Sequence, residues 1–186
     1  MKTQNAKDTR IKSSTKLLAE MAVAIALGTV LSFFKFSIWA EGGSVTAGSM
    51  VPILWFSLRR GARMGIISGA VYGMVQLVLQ PFIVHPAQLL LDYPLAFGAL
   101  GLAGLFHKRQ LLGVSVGIGG RFLAHFVSGV IFFAMYAPQV YLGLNIGANA
   151  YTYSALYNGS YLIPELIISL ILIAVLIKRN VINLYK

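Results

Sequence analysis

The chain has 186 residues, of which 58% are hydrophobic and 11% are charged, and its mean hydropathy is +0.77. A soluble domain carries about 25% charged residues, so this composition excludes an ordinary soluble protein and indicates one compact membrane unit. The formal net charge of +10 does not indicate nucleic-acid binding, because the basic residues flank apolar runs and form no single patch. Cysteine is absent, which excludes disulfides and cysteine metal sites.

Six apolar segments are candidates for membrane helices, since a helical span needs about 20 mostly apolar residues. They cover residues 17–34, 46–58, 62–80, 87–106, 112–136 and 153–177, and the second is short. No small-residue cleavage site follows the first segment, so we expect a retained helix rather than a signal peptide. The sequence predicts an all-α protein of the cell membrane, with a basic N-terminal tail at 1–16, a six-helix domain at 17–177 and a C-terminal tail at 178–186.

The basic residues predict the orientation of these helices. If the N-terminus is inside, the inner segments are 1–16, 59–63, 107–111 and 178–186, and they hold thirteen of the fifteen Lys and Arg residues. Lys35 alone falls outside, and Arg121 falls within a span. Because cytoplasmic segments are enriched in Lys and Arg, we predict six crossings with both termini cytoplasmic.

Small residues predict how the helices pack, because helix association in lipid depends on close approach of backbones. The third helix carries a ridge of glycines with a four-residue spacing. Gly98, Gly101 and Gly104 leave the fourth helix without side chains at three positions. The ridge consists of Gly61, Gly65, Gly69 and Gly73. In the first helix, Ala22 and Ala26 share one face. That face either packs within the bundle or docks another membrane protein.

The fifth helix carries a polar stripe, because Arg121 and His125 continue a four-residue spacing that begins with Gly113 and Gly117. At ~1.5 Å per residue, Arg121 lies about 16 Å from the inner end of its helix. By the same rise, Glu165 lies about 18 Å from the inner end of the last helix. We therefore predict a structural ion pair between Arg121 and Glu165, each lessening the cost of burying the other.

Polar and aromatic residues collect in the predicted outer half. Asp92 lies in an apolar run with no basic residue at its depth, and an ionised group there by default marks a functional site. Glu41, His125 and Asn158 accompany it, together with tyrosines at the start of the last helix. Carboxylates and aromatic faces suit a small organic cation. Two simpler interpretations stay open, an interfacial aromatic belt and a solvated Glu41.

Absent motifs narrow the function further. The sequence has no phosphate-binding loop of the Gly-x-x-x-x-Gly-Lys-Ser/Thr type, no His-Glu-x-x-His and no Gly-x-Ser-x-Gly. We therefore expect binding or passage of a ligand rather than catalysis, with no cofactor and no metal. Any coupling to ATP would need a partner.

Several motifs together resemble one family. They are Trp39-Ala40-Glu41-Gly42-Gly43-Ser44, Leu91-Asp92-Tyr93-Pro94-Leu95-Ala96-Phe97, Arg121-Phe122-Leu123-Ala124-His125-Phe126 and Tyr153-x4-Asn158-Gly159-x-Tyr161. The chain resembles, over all six helices, the thiamine-specific substrate-binding subunit of energy-coupling-factor transporters.

The resemblance implies a six-helix protein that captures thiamine from outside and docks onto one transmembrane coupling protein and two ATPases. It implies that Ala22 and Ala26 form the docking face. It implies a pocket under the first outer loop, formed by Trp39, Glu41, Asp92, Tyr93, His125, Phe133, Tyr153 and Asn158. Two positions depart from the family pattern, since Phe133 replaces an indole and Asp92 replaces a possible Glu. A thiamine analogue or precursor therefore stays open as the ligand.

Two further hypotheses compete with a vitamin-binding subunit. One is a stand-alone carrier of a small organic cation, coupled to protons through Asp92 and Glu165. The other is an intramembrane enzyme.

Overall fold

The computed structural model describes residues 2–37 and 43–181, with side chains from residue 14 onward. The described part is mainly helical. The helices are α1 (Lys2–Ser32), α2 (Val51–Arg60), α3 (Ala62–Leu79), α4 (Pro86–Leu105), α5 (Gln110–Phe132) and α6 (Ala150–Lys178). Two short antiparallel hairpins cap one end, β1 (Lys35–Phe36) with β2 (Val45–Thr46), and β3 (Val140–Tyr141) with β4 (Leu144–Asn145). A single 3-10 turn, Ala134–Tyr136, follows α5.

Five of these helices are long and apolar enough to cross a membrane. In α1 the apolar part is Ser14–Ser32, and α3, α4, α5 and α6 qualify over their whole lengths. The sequence prediction of an all-α, multi-pass membrane protein is confirmed. Helix α1 begins earlier than predicted, because the basic stretch before residue 17 continues the same helix.

The second predicted helix differs most from expectation. Helix α2 has ten residues rather than the predicted 46–58, and at ~1.5 Å per residue it is about 15 Å long. Residues 45–46 are instead paired with β1, and Pro52 lies in the first turn of the helix, where its missing N–H costs nothing. Met50, Ile53 and Phe56 are fully buried, so α2 lies at the centre of the bundle.

The segment that contains α2 nevertheless runs beside α1 from its C-terminal end back to Glu20. At one end, β2 pairs with β1 just beyond α1. At the other end, Arg60 Nε donates to Glu20 Oε2 over 2.7 Å, near the start of the apolar part of α1. The segment is therefore antiparallel to α1.

Glycines hold α3 against α4, as the sequence predicted. A Cβ on Gly69 would lie far inside contact distance of the Phe97 carbonyl oxygen, and one on Gly73 would collide with the Tyr93 carbonyl. Gly61 has another role. It has φ +89° and, among the described residues, no neighbour within 4 Å of its Cβ position, so it makes the turn between α2 and α3 in a conformation that favours glycine.

Helix α4 is irregular where the site forms. Its residues Leu91–Leu95 adopt a π-helical turn that contains Pro94, and Leu100–Leu105 form a 3-10 turn. Single π turns inside α-helices occur frequently at functional sites. This turn carries Asp92 and Tyr93, so the backbone of α4 departs from regular geometry at two residues predicted for the pocket.

Candidate functional site

A cavity of about 400 Å³ lies between α3, α4, α5 and α6, at the end of the bundle that carries the hairpins. This end is opposite the Glu20–Arg60 pair. The predicted topology places Arg60 inside, so the cavity lies at the outer end of the bundle. Small-molecule sites are typically cavities of about 300–1,000 Å³. The lining residues include Lys35, Gly43, Gln76, Gln80, Phe82, Gln88, Asp92, Tyr93, Phe97, Arg121, His125, Phe133, Tyr153, Tyr157, Asn158 and Tyr161.

Asp92, His125 and Arg121 form a hydrogen-bonded chain in this cavity. Arg121 Nε donates to His125 Nε2 over 3.2 Å, and His125 Nδ1 lies 2.9 Å from Asp92 Oδ1. Arginine stays protonated and can only donate, so Nε2 of His125 must accept. His125 is therefore the neutral tautomer with its proton on Nδ1, which it donates to Asp92.

Gln88 completes the support of the carboxylate. Its Nε2 donates to Asp92 Oδ2 over 2.6 Å and to the Phe82 carbonyl over 3.1 Å, while its Oε1 accepts from the Val84 N–H. Both oxygens of Asp92 thus receive a hydrogen bond from a fixed donor. Because each carboxylate oxygen has two lone pairs, Asp92 keeps acceptor capacity for a ligand.

Aromatic rings form a further part of the cavity wall. Tyr153, Tyr157 and Tyr161 lie on successive turns of α6, and consecutive ring centroids are 5.8 Å apart. Phe133 is 9% exposed and stacks on Phe82 with a centroid distance of 5.9 Å. The cavity therefore offers ring faces for a flat ligand.

Asn158 and Tyr93 hold the walls in place. Asn158 Oδ1 accepts from the Tyr161 hydroxyl over 2.7 Å, and its Nδ2 donates to the Ser154 carbonyl over 2.9 Å. The Tyr93 hydroxyl accepts from the Phe82 N–H and donates to the Gln80 carbonyl, which fastens the connection between α3 and α4.

The connection between α1 and α2 approaches the cavity at Gly43. The Gly43 N–H donates to the Tyr157 hydroxyl over 2.9 Å, and a Cβ at this position would lie 2.7 Å from a ring carbon of Tyr161. Only glycine allows this approach. Trp39 and Glu41, which were predicted for the pocket, precede Gly43 and lie outside the described residues.

Known proteins with the same sequence pattern identify the family. The model of a family described as thiamine transporter protein (Thia_YuaJ) matches residues 18–184. The thiamine transporter ThiT of Bacillus subtilis (strain 168) is 34% identical over 178 residues, which cover 86% of this chain and 88% of that protein. The chain belongs to the thiamine transporter protein family.

Two further thiamine transporters are similar to this chain in sequence or in structure. The thiamine transporter ThiT of Lacticaseibacillus paracasei is 25% identical over 181 residues, which cover 87% of this chain and 86% of that protein. A solved structure of ThiT from Listeria monocytogenes superposes with a TM-score of 0.78 at 26% identity, covering 90% of this chain and 96% of that one. Like these thiamine transporters, the chain is a multi-pass protein of the cell membrane.

The predicted ion pair between Arg121 and Glu165 is not formed. Glu165 is 2% exposed and accepts from the backbone N–H and the hydroxyl of Thr46 in β2. Arg121 instead donates to His125, and its guanidinium lies 4.1 Å from the centroid of the Phe97 ring. Equal depth in the bundle does not fix the direction of a side chain around its helix. Arg121 therefore joins the cavity, and Glu165 anchors the β2 strand.

Several cavity residues were missed by sequence reasoning. Gln76 and Gln88 are polar residues within apolar runs, and Gln88 precedes Asp92 by four residues. Residues four apart are neighbours on one helix face, so this spacing was a usable signal for the Gln88–Asp92 hydrogen bond. Lys35 had no such signal, because its place at the cavity depends on the β1–β2 hairpin.

Proposed function

We propose that this chain captures thiamine from outside the cell, as the substrate-binding subunit of an energy-coupling-factor importer. The observation that carries the proposal is Asp92, a carboxylate held by Gln88 and His125 in an aromatic-lined cavity. Thiamine is a permanently cationic thiazolium joined to an aminopyrimidine, which matches one countercharge and stacking faces. Membership of the thiamine transporter family supports the same ligand.

The charges around the cavity favour one orientation of the cation. Among the described lining residues, Asp92 is the single acid, and Lys35 and Arg121 are the bases. Lys35 Nζ is bound to Gln80 Oε1, and His125 lies between Arg121 and Asp92 in the hydrogen-bonded chain. The thiazolium therefore lies nearest Asp92, and the aromatic side chains that line the cavity supply stacking faces. In this proposal Trp39, Glu41, His125, Tyr153 and Asn158 complete the binding site.

A proton-coupled carrier that uses Asp92 and Glu165 as a relay is less well supported. The hydrogen bonds of Asp92 lead to Gln88 and His125, whereas those of Glu165 lead to Thr46. Within the described part of the chain, no hydrogen bond links the two groups. Capture without catalysis, followed by uptake powered by a partner, needs no such link.

A calorimetric titration of the full chain in detergent tests the ligand. We expect a dissociation constant for thiamine below about 1 μM, and no measurable heat with riboflavin or biotin. A separate titration with the isolated aminopyrimidine precursor tests the alternative ligand. Absence of thiamine binding would overturn the proposal, and tighter binding of the precursor would change its substrate. Uptake by the chain alone along a proton gradient would favour the carrier hypothesis.

Helix α1 provides the proposed docking face for the coupling protein. Ala22 and Ala26 are exposed, whereas Ala24 is 2% exposed and packs in the core with Gly28 buried on the same side. Small exposed residues allow another helix to approach closely. We propose that this face contacts the transmembrane coupling protein, which associates with two ATPases.

Replacing Ala26 with Trp is expected to separate capture from uptake. The bulky ring would hold a partner helix away, so ATP-driven uptake by the reconstituted complex should fall by about tenfold or more while thiamine affinity stays unchanged. Leu123→Trp is the matched control, because Leu123 is 60% exposed on α5. Equal uptake by the two variants would place the docking face elsewhere.

A further inference from the structure

Ser32, near the cavity at the end of α1, uses its only hydroxyl proton in a hydrogen bond within the helix. The residue is 3% exposed, and its Oγ donates to the Thr29 carbonyl over 2.7 Å. A serine hydroxyl has one donor and two acceptor positions. Any other hydrogen bond to Ser32 Oγ must therefore be accepted by the serine and donated by its neighbour.

Two glutamine amides of α3 are oriented by this hydroxyl. Gln76 Nε2 lies 3.3 Å and Gln80 Nε2 lies 3.4 Å from Ser32 Oγ. Because Ser32 can only accept, both glutamines direct their NH2 groups towards it. Their carbonyl oxygens consequently point elsewhere. Gln80 Oε1 accepts from Lys35 Nζ over 2.5 Å, so its oxygen is satisfied.

The oxygen of Gln76 has no such partner. Gln76 is 6% exposed and lines the cavity, and no hydrogen bond to its Oε1 occurs among residues 2–37 and 43–181. Gln88, which also lines the cavity, differs from Gln76 because its amide nitrogen and its amide oxygen both have protein partners. The Gln76 oxygen is therefore reachable from the cavity, where a donor on a bound ligand would meet an acceptor that no protein group occupies.

We propose that Gln76 is a specificity-determining residue, whose Oε1 accepts a hydrogen bond from an N–H or O–H group of the bound cation. The proposal rests on the function proposed above. Thiamine offers two such donors, its exocyclic amine and the hydroxyl of its hydroxyethyl arm. A neutral acceptor recognises either without adding a second negative charge. A site built around a ligand donor discriminates strongly against an analogue that lacks it, because its own polar group is then left unpaired.

A cycle of protein variants and ligands tests this role. The probes are thiamine, an analogue with a methyl group in place of the amine, and one with ethyl in place of hydroxyethyl. Gln76→Met keeps the length of the side chain and removes the acceptor. We expect it to weaken thiamine binding about tenfold, and to weaken binding of one of the two analogues by less than about twofold. That analogue identifies the donor.

Gln80→Met is the matched control. Its oxygen already accepts from Lys35, so we expect it to change the affinities for all three ligands by the same factor. Gln76→Glu retains an acceptor and should keep the distinction between the analogues, which covers the case in which Gln76→Met does not fold. Equal losses for all three ligands on replacing Gln76, or no loss, would overturn the role. If the unaltered chain binds none of the ligands, the proposed function itself fails.

Discussion

Replacing Asp92 with Asn is expected to weaken thiamine binding by about 100-fold or more. Removing one partner of a buried, hydrogen-bonded charge pair costs about 2–5 kcal/mol, and a factor of 100 corresponds to about 2.7 kcal/mol. Asp92 lies 15% exposed beside aromatic rings, where water screens the attraction between carboxylate and cation only partly. Calorimetric titration of the purified variant in detergent measures the effect.

The hydrogen bonds of Asp92 add a second, smaller cost. Both of its protein partners are donors, since Gln88 Nε2 and His125 Nδ1 each point at one oxygen. An asparagine supplies one oxygen and one NH2 group, so one of these donors would face another donor. The variant therefore loses local order as well as charge, and a measurement with thiamine alone cannot separate the two effects.

An uncharged analogue with a neutral ring in place of the thiazolium makes this separation. The unaltered chain should bind it less tightly than thiamine, whereas Asp92→Asn should bind the two ligands with nearly equal affinity. This loss of discrimination is the signature of a countercharge. If the substitution weakened binding of both ligands by the same factor, Asp92 would support the wall of the cavity without contacting the cation.

Much of the architecture was predictable because a membrane imposes few solutions on an apolar chain. Five predicted helices appear within a few residues of their expected bounds, apart from the longer start of α1. The glycine ridge of α3 was readable too, since close backbone packing in lipid requires small residues at helical spacing. The pairing of α3 with α4 through Gly69 and Gly73 follows this pattern.

The residues of the site were predictable only where the residue type was itself unusual for its position in an apolar helix. Asp92 and His125 stood out as ionisable groups in apolar helices, and the structure joins them by a hydrogen bond. The partners of Arg121 and Glu165 depended on how each helix is rotated, which depth alone does not specify. Gln76 depended on Ser32, which is 44 residues away in the chain. Contacts between residues far apart in the chain produce no regular spacing that could be recognised in a single sequence.

Replacing Gly69 with Ala is expected to lower the stability of the folded chain markedly. The added methyl group would collide with the Phe97 carbonyl, a backbone atom that cannot move without shifting α4. Overpacking of this kind costs up to about 3 kcal/mol, which for a chain of this size lowers the midpoint of thermal unfolding by roughly 10 °C. Thermal unfolding in detergent, followed by circular dichroism, measures the shift.

Gly98→Ala is the matched control in the same helix pair. A Cβ on Gly98 would lie 3.6 Å from the Ile66 carbonyl oxygen, which is ordinary contact. Both substitutions raise helix propensity by the same amount, so only the collision distinguishes them. Gly98→Ala should leave the unfolding midpoint unchanged or slightly higher. Equal midpoints for the two variants would contradict the packing of α3 on α4. Because Phe97 also carries the ring beneath Arg121, a displacement of α4 in Gly69→Ala should weaken thiamine binding as well.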